Sequence, residues 1–435
     1  MSKQISVVLV GSGNRANIYA RLALNEPEKM KVVGVVDPDK IRVNAAKELY
    51  GIPEENCFYS VEDFLKREKF ADAVINGTMD NIHVATSIPI LKAGYDMLLE
   101  KPFAVNEEEL RELVKVANEE KRKVLICHVL RYTPFYSAIK KHLLNGEIGD
   151  IISIEMCEHV SYHHMAVSYV RGKWRSEKIC HAPMLLAKSC HDVDLMMWMM
   201  NHTKPRTVAS FGSDFQFVPE KKPEGAGTRC MVDCPLSAEC RFSADSNYIQ
   251  RPLRWGQYTW AGIEADGGRN ATIERKIESM KTDNPYGKCV WDCERDGNVD
   301  HQSLIVNFEN GAIGTFSMVG GTAVSERNIH IIGTHGEIKG TFETSKYSVK
   351  KIYPYSKEAY TVEEYDLNIG GDMTGAHGGH GGGDVRLARD FVDYMNGEAP
   401  SISCTEINDS TVSHLVVFTA EKARKNNSIE TVKLD

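Results

Sequence analysis

The chain has 435 residues, 42% hydrophobic and 26% charged, with a formal net charge of −8. That length exceeds one ordinary core, so two domains are expected, and the negative balance excludes a nucleic-acid binder built on a basic stripe. No apolar run approaches a membrane span, and eleven cysteines, an odd number, suit reduced thiols. The first strand begins at Ile5 with no room for a charged and apolar leader, so a cytoplasmic protein is expected.

Ile5–Val10 reads as a continuous apolar strand. Gly11-Ser12-Gly13-Asn14-Arg15-Ala16 follows, then a helical pattern through Tyr19, Leu22 and Leu24. Strand, G-x-G-x-x-A and helix in succession form the phosphate-binding turn of a dinucleotide fold. Gly11 permits the tight turn, Gly13 lets the backbone approach a pyrophosphate, and Ala16 leaves room for helix–strand packing. The helix amino end offers unpaired N–H groups and a positive dipole to the phosphates. A second strand, Lys31–Val36, ends in Asp37, about twenty residues on, where an acid reads the ribose. A carboxylate there favours NAD, because it repels the extra phosphate of NADP.

Ile41–Tyr50 and Val61–Lys66 have helical spacing, and Ala71–Ile75 is a strand closing on Asn76-Gly77-Thr78. Asn81-Ile82-His83 opens a helix to about Ala93. Met97, Leu98 and Leu99 form a short buried strand that stops at Glu100-Lys101-Pro102, where the proline ends the ladder. Lys101 thus stands at the carboxyl end of a strand, where open α/β sheets bind ligands. Asn106–Glu119 is a charged amphipathic helix and Lys123–His128 a further strand. The alternation implies a parallel sheet covered on both faces.

Gly11-Ser12-Gly13-Asn14-Arg15, Asp37, Thr78 followed by His83, and Glu100-Lys101-Pro102 together resemble the glucose–fructose oxidoreductase/inositol dehydrogenase (Gfo/Idh/MocA) family. The resemblance covers the amino-terminal third. It implies a Rossmann domain over residues 1–128, then an α+β domain over 129–435 with a large, mostly antiparallel open sheet. It also implies NAD held by Gly11, Gly13, Asn14, Arg15, Asp37, Thr78, His83, Glu100 and Lys101. By that likeness Lys101 contacts both the nicotinamide ribose and the substrate hydroxyl, and the positive ring would depress the lysine pKa. A cis peptide before Pro102 is compatible with such a turn.

In the second domain, Arg131, Tyr132 and Pro134 precede a helix through Ile139, Leu143 and Leu144, and Asp150–Glu155 is the strand leaving it. Pro183–Met200 reads as one helix carrying Lys188, His191 and Asp194 at i, i+3 and i+6 on a face otherwise made of Met, Leu and Trp. Polar groups there are costly to bury without partners or a task. The likeness makes His191 the catalytic histidine of a His-x-x-Asp-Leu segment. An aspartate usual in the family four residues earlier is Ala187 here, so Lys188 or Asp192 is expected to take over part of its work. An i,i+4 pair between Lys188 and Asp192 is the plainer alternative.

Cys230, Cys234, Cys240, Cys289 and Cys293 are readable as a structural zinc set or as reduced thiols, and no metal is assigned. Arg251, Arg254, Trp255, Tyr258 and Trp260 suit sugar stacking or a subunit interface. Ser303–Phe308 and Ala312–Val319 flank Asn310-Gly311, and Asn328–Gly333 and Glu337–Phe342 flank Thr334-His335-Gly336, giving two hairpins. Gly370–Gly383 has eight glycines in fourteen residues, with His377 and His380 among them. It reads as a site loop or a flexible connector. Asp384 is placed as the cap of a helix over Val385–Met395, and a last helix runs from about Asp409 to Lys425.

The expected reaction is reversible hydride transfer between NAD and a hydroxyl-bearing carbon of a sugar, glycoside or polyol. His191 is the base and Lys101 steadies the oxygen, while Arg131, Lys188, Asp192, His301 and His380 are candidate substrate contacts. Two alternatives are an NAD-dependent glycosidase acting by C3 oxidation, elimination, hydration and re-reduction, and a silent NAD-binding sensor. A carbohydrate is the expected partner, with no nucleic acid and no membrane, and an open sheet face predicts a homodimer or homotetramer.

Overall fold

In the computed structural model, which describes residues 3–252, 256–368 and 380–434, the first six strands form one parallel sheet. They are β1 (Ile5–Val10), β2 (Met30–Val36), β3 (Cys57–Phe58), β4 (Ala73–Asn76), β5 (Asp96–Leu99) and β6 (Val124–Ile126). Their order is β3-β2-β1-β4-β5-β6. The order reverses at β1, and in open α/β sheets the crevice at such a point takes the ligand. Val7, Val8, Leu9, Leu98 and Leu99 are wholly buried, because both sheet faces are covered. Each such side chain contributes roughly 1.5–3 kcal/mol.

The covering helices follow local signals. Helix α1 is Asn14–Ala20, α2 is Lys40–Tyr50, α3 is His83–Lys92 and α4 is Glu107–Glu119. Asn106 caps α4, its Oδ1 accepting from the Glu109 N–H at 2.8 Å, and three glutamates in the first turn suit the positive helix end. The two-residue β3 is too short to leave a sequence signature.

After α5 (Pro134–Leu144) the chain enters β7 (Ile151–Ser161) of a second sheet. Its other strands are β8 (Pro205–Ser213), β9 (His301–Phe308), β10 (Ile313–Thr322), β11 (Glu326–Gly333), β12 (Gly336–Thr341), β13 (Lys346–Ile352), β14 (Tyr360–Asp366) and β15 (Ile429–Thr431). The order is β14-β13-β12-β11-β7-β10-β9-β8-β15. The β7–β10 pair is parallel and the other pairs are antiparallel. Both hairpins expected from sequence are present as β9–β10 and β11–β12.

The Pro183–Met200 segment is not one helix. It divides into α6 (Met184–Ala187) and α7 (Cys190–Met199), and the break falls at Lys188-Ser189. There the Ser189 hydroxyl donates to Glu158 of β7 at 2.9 Å. Lys188 therefore leaves the helix on which His191 and Asp194, one turn apart, still share a face. Two late helices follow: α8 (Gly383–Met395) returns to the first sheet, and α9 (Ile407–Asn426) packs chiefly on β8 of the second and on α7. Leu387, Ala388, Phe391 and Val392 of α8 pack with Leu98, Leu125 and Cys127. Between the two helices, the Ile126 N–H donates to the Thr405 carbonyl at 2.9 Å. Gly382, not Asp384, caps α8, with Asp384 inside its first turn.

Candidate active site

A cleft of about 1630 Å³ opens between the carboxyl ends of β1, β4 and β5 and the inner face of the second sheet. Gly11, Gly13, Asp37, Thr78, His83, Lys101, Lys188, His191 and His380 are among its lining residues. Gly11 has φ +76°, and a Cβ there would lie 2.7 Å from the Thr78 nitrogen, so only glycine fits. A Cβ on Gly13 would meet nothing within 4 Å, which leaves bare backbone facing open space. Asp37 accepts from the Ser12 N–H at 2.8 Å and the Asp39 N–H at 2.9 Å. The turn is thereby tied to the acid that reads a ribose. This donor set fits a dinucleotide.

Arg15, expected on the cofactor, is tied into a buried ionic node. Its Nε donates to Glu100 at 2.8 Å and its Nη2 to Asp384 at 2.6 Å, and Tyr19 joins through its hydroxyl. Burial alone would raise the Glu100 carboxyl, but Arg15 and Lys101 hold it below its ordinary value. Glu100 in turn accepts from the Lys101 N–H at 2.7 Å. Asp384 is pulled far below the carboxylate range, where Arg15 and His380 outweigh its burial. His83 bridges the Pro102 carbonyl (2.7 Å) and the Thr78 carbonyl (3.1 Å), bracing two cleft loops. The Lys101–Pro102 peptide is cis.

Lys101 Nζ donates to the backbone carbonyl of Ala187 at 3.1 Å. A main-chain oxygen of residue 187 thus holds the ammonium where the family resemblance implies an aspartate side chain. The expected fall in the Lys101 pKa is not a property of the chain alone. Burial lowers it, but Cys190, Glu100 and Asp80 outweigh burial and leave it raised. His191 is pushed well below 6.5, by burial first and then by Lys101, His380 and His128. It is a neutral imidazole at pH 7. Its Nδ1 is buried without a partner, which leaves Nε2 as the nitrogen available to the cleft. His380 lies ring to ring with it at 5.7 Å.

Opposite, Glu158 and Arg327 face each other across the β7–β11 ladder. Glu158 also takes Lys188, and Arg327 Nε donates to Asp192 at 2.8 Å. The two carboxyls divide their pKa values. Glu158, desolvated but flanked by Arg327 and Lys188, falls to about 2, whereas desolvation by burial pushes Asp192 up to about 8. The Lys188–Asp192 pair considered above is replaced by these separate partners.

Three expected substrate contacts do not line the cleft. Arg131 is buried and bidentate on Asp194 at 2.7 and 2.6 Å, Asp192 is turned to Arg327, and His301 sits beside Asp300, 44% exposed. Tyr258 and Trp260 do line it, and Arg251 does not. Arg254, Trp255 and His377 lie outside the described residues. Sequence reading missed Glu158 and Arg327. Glu158 keeps the inward phase of Ile154, Met156 and Val160 on β7, and a charge in that phase was the available signal. Four of the five central cysteines line a separate cavity of about 280 Å³, where Arg171 donates to Cys230 at 3.3 Å. Among the described residues no group of three or more His, Cys, Asp or Glu is placed to hold a metal ion.

Two family models match. One, described as an oxidoreductase family with an NAD-binding Rossmann fold, covers residues 5–128, and its C-terminal alpha/beta domain covers 140–406. A putative oxidoreductase, YteT of Bacillus subtilis, is 26% identical over 374 residues, 83% of this chain and 82% of that protein. The WlbA dehydrogenase from Bordetella pertussis, solved with NADH and UDP-GlcNAcA, superposes with TM-score 0.67 at 15% identity over 100% of this chain and 99% of the other. Scyllo-inositol dehydrogenase from Lactobacillus casei, solved with NAD(H) and scyllo-inositol, gives 0.65 at 16% over 99% of each. These structural likenesses carry the fold.

Proposed function

The chain belongs to the Gfo/Idh/MocA oxidoreductase family, whose first domain binds NAD, and from that premise we propose that it oxidises or reduces a hydroxyl-bearing carbon of a sugar, glycoside or polyol. The observation that carries this reading is Lys101, fixed by the Ala187 carbonyl in the same cleft as the neutral His191. When bound, NAD supplies the hydride acceptor or donor. His191 takes the hydroxyl proton in the oxidative direction, and Lys101 steadies the developing alkoxide. Gly11, Gly13, Asn14, Asp37, Thr78 and His83 form the cofactor wall, and Arg15 and Glu100 line the same cleft and brace that wall through their ion pair. Lys188 and His380 are the substrate contacts we retain. Tyr258 and Trp260 offer rings for a sugar face. The relatives solved with scyllo-inositol and with UDP-GlcNAcA are consistent with a hydroxyl-rich substrate. The test is NADH formation over a panel of inositols, hexoses and uronates with wild type and Lys101→Ala.

A glycosidase acting through transient C3 oxidation is the second reading. It is favoured by the two imidazoles, His191 and His380, in one cleft, since elimination needs a further base for the C2 proton. Release of nitrophenol from a nitrophenyl glycoside without net NADH would select it. We also propose a division at residues 128/129 and assembly as a homodimer or homotetramer. Phe211, Ile305, Ile313 and Val319 stand exposed on the outer face of the second sheet and suit a subunit contact. Among the described residues no helix is long and apolar enough to cross a membrane.

A further inference from the structure

Behind His191 lies a second buried imidazole that the proposed reaction has not used. His128 follows β6 and is 1% exposed, and neither of its ring nitrogens has a hydrogen-bond partner. Its ring meets that of His191 edge-on, with centroids 5.9 Å apart and planes at 79°, and His191 Nδ1 is also buried without a partner. On its far side, His128 Nε2 stands 3.7 Å from Asp194 Oδ1. Arg131 grips Asp194 and also reaches Asp409, which is 44% exposed. Phe103 and His414 pack on the remaining faces at 6.4 and 5.7 Å, and Lys101, Glu100 and Arg131 supply the nearby charge.

Buried polar atoms are ordinarily paired, and here five idle nitrogens lie on the three adjacent rings of His191, His128 and His414 behind the cleft. Catalytic hydrogen bonds are often long in a resting enzyme and tighten when the ligand is bound. We propose that His128 is the proton partner of His191: His191 takes the substrate's hydroxyl proton on Nε2 and hands its Nδ1 proton to His128, beside Asp194. This rests on the reading of His191 as base. The balance is closed. One O–H bond breaks and one N–H forms at Nε2, while the N–H at Nδ1 breaks and one forms on His128. The hydrogen on the same carbon leaves with its electron pair to the nicotinamide, and the C–O bond becomes C=O. Burial disfavours a lasting imidazolium on either ring, with Arg131 and Lys101 adding to it at His128, and the Asp194 carboxylate, 3.7 Å from His128 Nε2, is the acid nearest the transferred proton. His128 touches no substrate and is a positioning residue.

One measurement tests the relay without turnover, and two more follow it during turnover. In the full chain with bound NAD and 15N-labelled histidine, long-range 1H–15N spectra report which ring nitrogen carries the proton. The expected result is a change of tautomer at His191 in His128→Gln. An unchanged His191 tautomer overturns the relay. If His128→Gln does not fold, the reciprocal variant His191→Asn decides, because the His128 tautomer must then change. With scyllo-inositol, or whichever polyol of the panel turns over, His128→Gln should lower kcat on the order of tenfold or more at unchanged KM. Proton release to an indicator should lag behind NADH in the first turnover. Release in step with NADH would contradict the relay. If no polyol turns over, the functional reading fails, and the spectra alone decide the relay.

Discussion

At the scale of single residues, the site depends on how burial sets protonation. The His191 imidazole is held well below 6.5 chiefly by desolvation, so it is a free base across neutral pH. For alcohol oxidation the base must be unprotonated. The pH profile of kcat/KM should therefore stay flat as pH falls from 8 through 6.5, with loss only below that, where His191 protonates. A limb centred near 6.5 would assign the base to an ordinary exposed histidine. Ala187 shows what residue-level reading can miss. The side chain that a family member would use is absent, yet the main-chain oxygen of the same residue holds Lys101. No residue type advertises a backbone carbonyl.

At the scale of elements, short-range signals were legible and long-range ones were not. The strand, glycine turn and helix at residues 5–20 are written within one contiguous stretch, and the structure reproduces them. Gly11→Ala should therefore weaken NAD binding on the order of tenfold or more, since left-handed backbone costs an L-residue about 1–2 kcal/mol and the added Cβ meets the Thr78 nitrogen. Titration calorimetry with NAD checks this. By contrast, the break between α6 and α7 is accompanied by a bond from Ser189 to Glu158, and the Glu158–Arg327 pair joins strands distant in sequence. Local periodicity cannot carry such contacts.

Asp384 was legible as a polar residue at a helix start, but not as the partner of Arg15. Asp384→Asn removes a charge from a buried ion pair and should cost about 3–5 kcal/mol at pH 7. The folded pKa of Asp384 is depressed, so its contribution is present above the unfolded value of about 3.9 and is lost as pH falls through the folded pKa. Urea titrations of wild type and variant should accordingly differ most at neutral pH and converge in acid.

At the scale of the whole molecule, the second sheet has two unlike faces. The inner face presents Glu158 and Arg327 to the cleft, where Glu158 takes Lys188 from the α6–α7 break, and the outer face leaves Phe211 68% and Ile305 52% exposed. Light scattering should give a dimer or tetramer for wild type and a smaller species for Ile305→Asp, and a wild-type monomer would remove the proposed contact. The late helix α8 closes the chain back onto the first sheet, so the Arg15–Glu100–Asp384 node ties the cofactor wall to a residue late in the chain. Lys101 is the group proposed to hold the reacting oxygen. Its most direct test is single-turnover NADH formation by Lys101→Ala on a polyol that wild type oxidises, with NAD affinity measured alongside. The account predicts NAD affinity within a few-fold of wild type and a rate lower by on the order of 10²–10⁴. Turnover at the wild-type rate would contradict it.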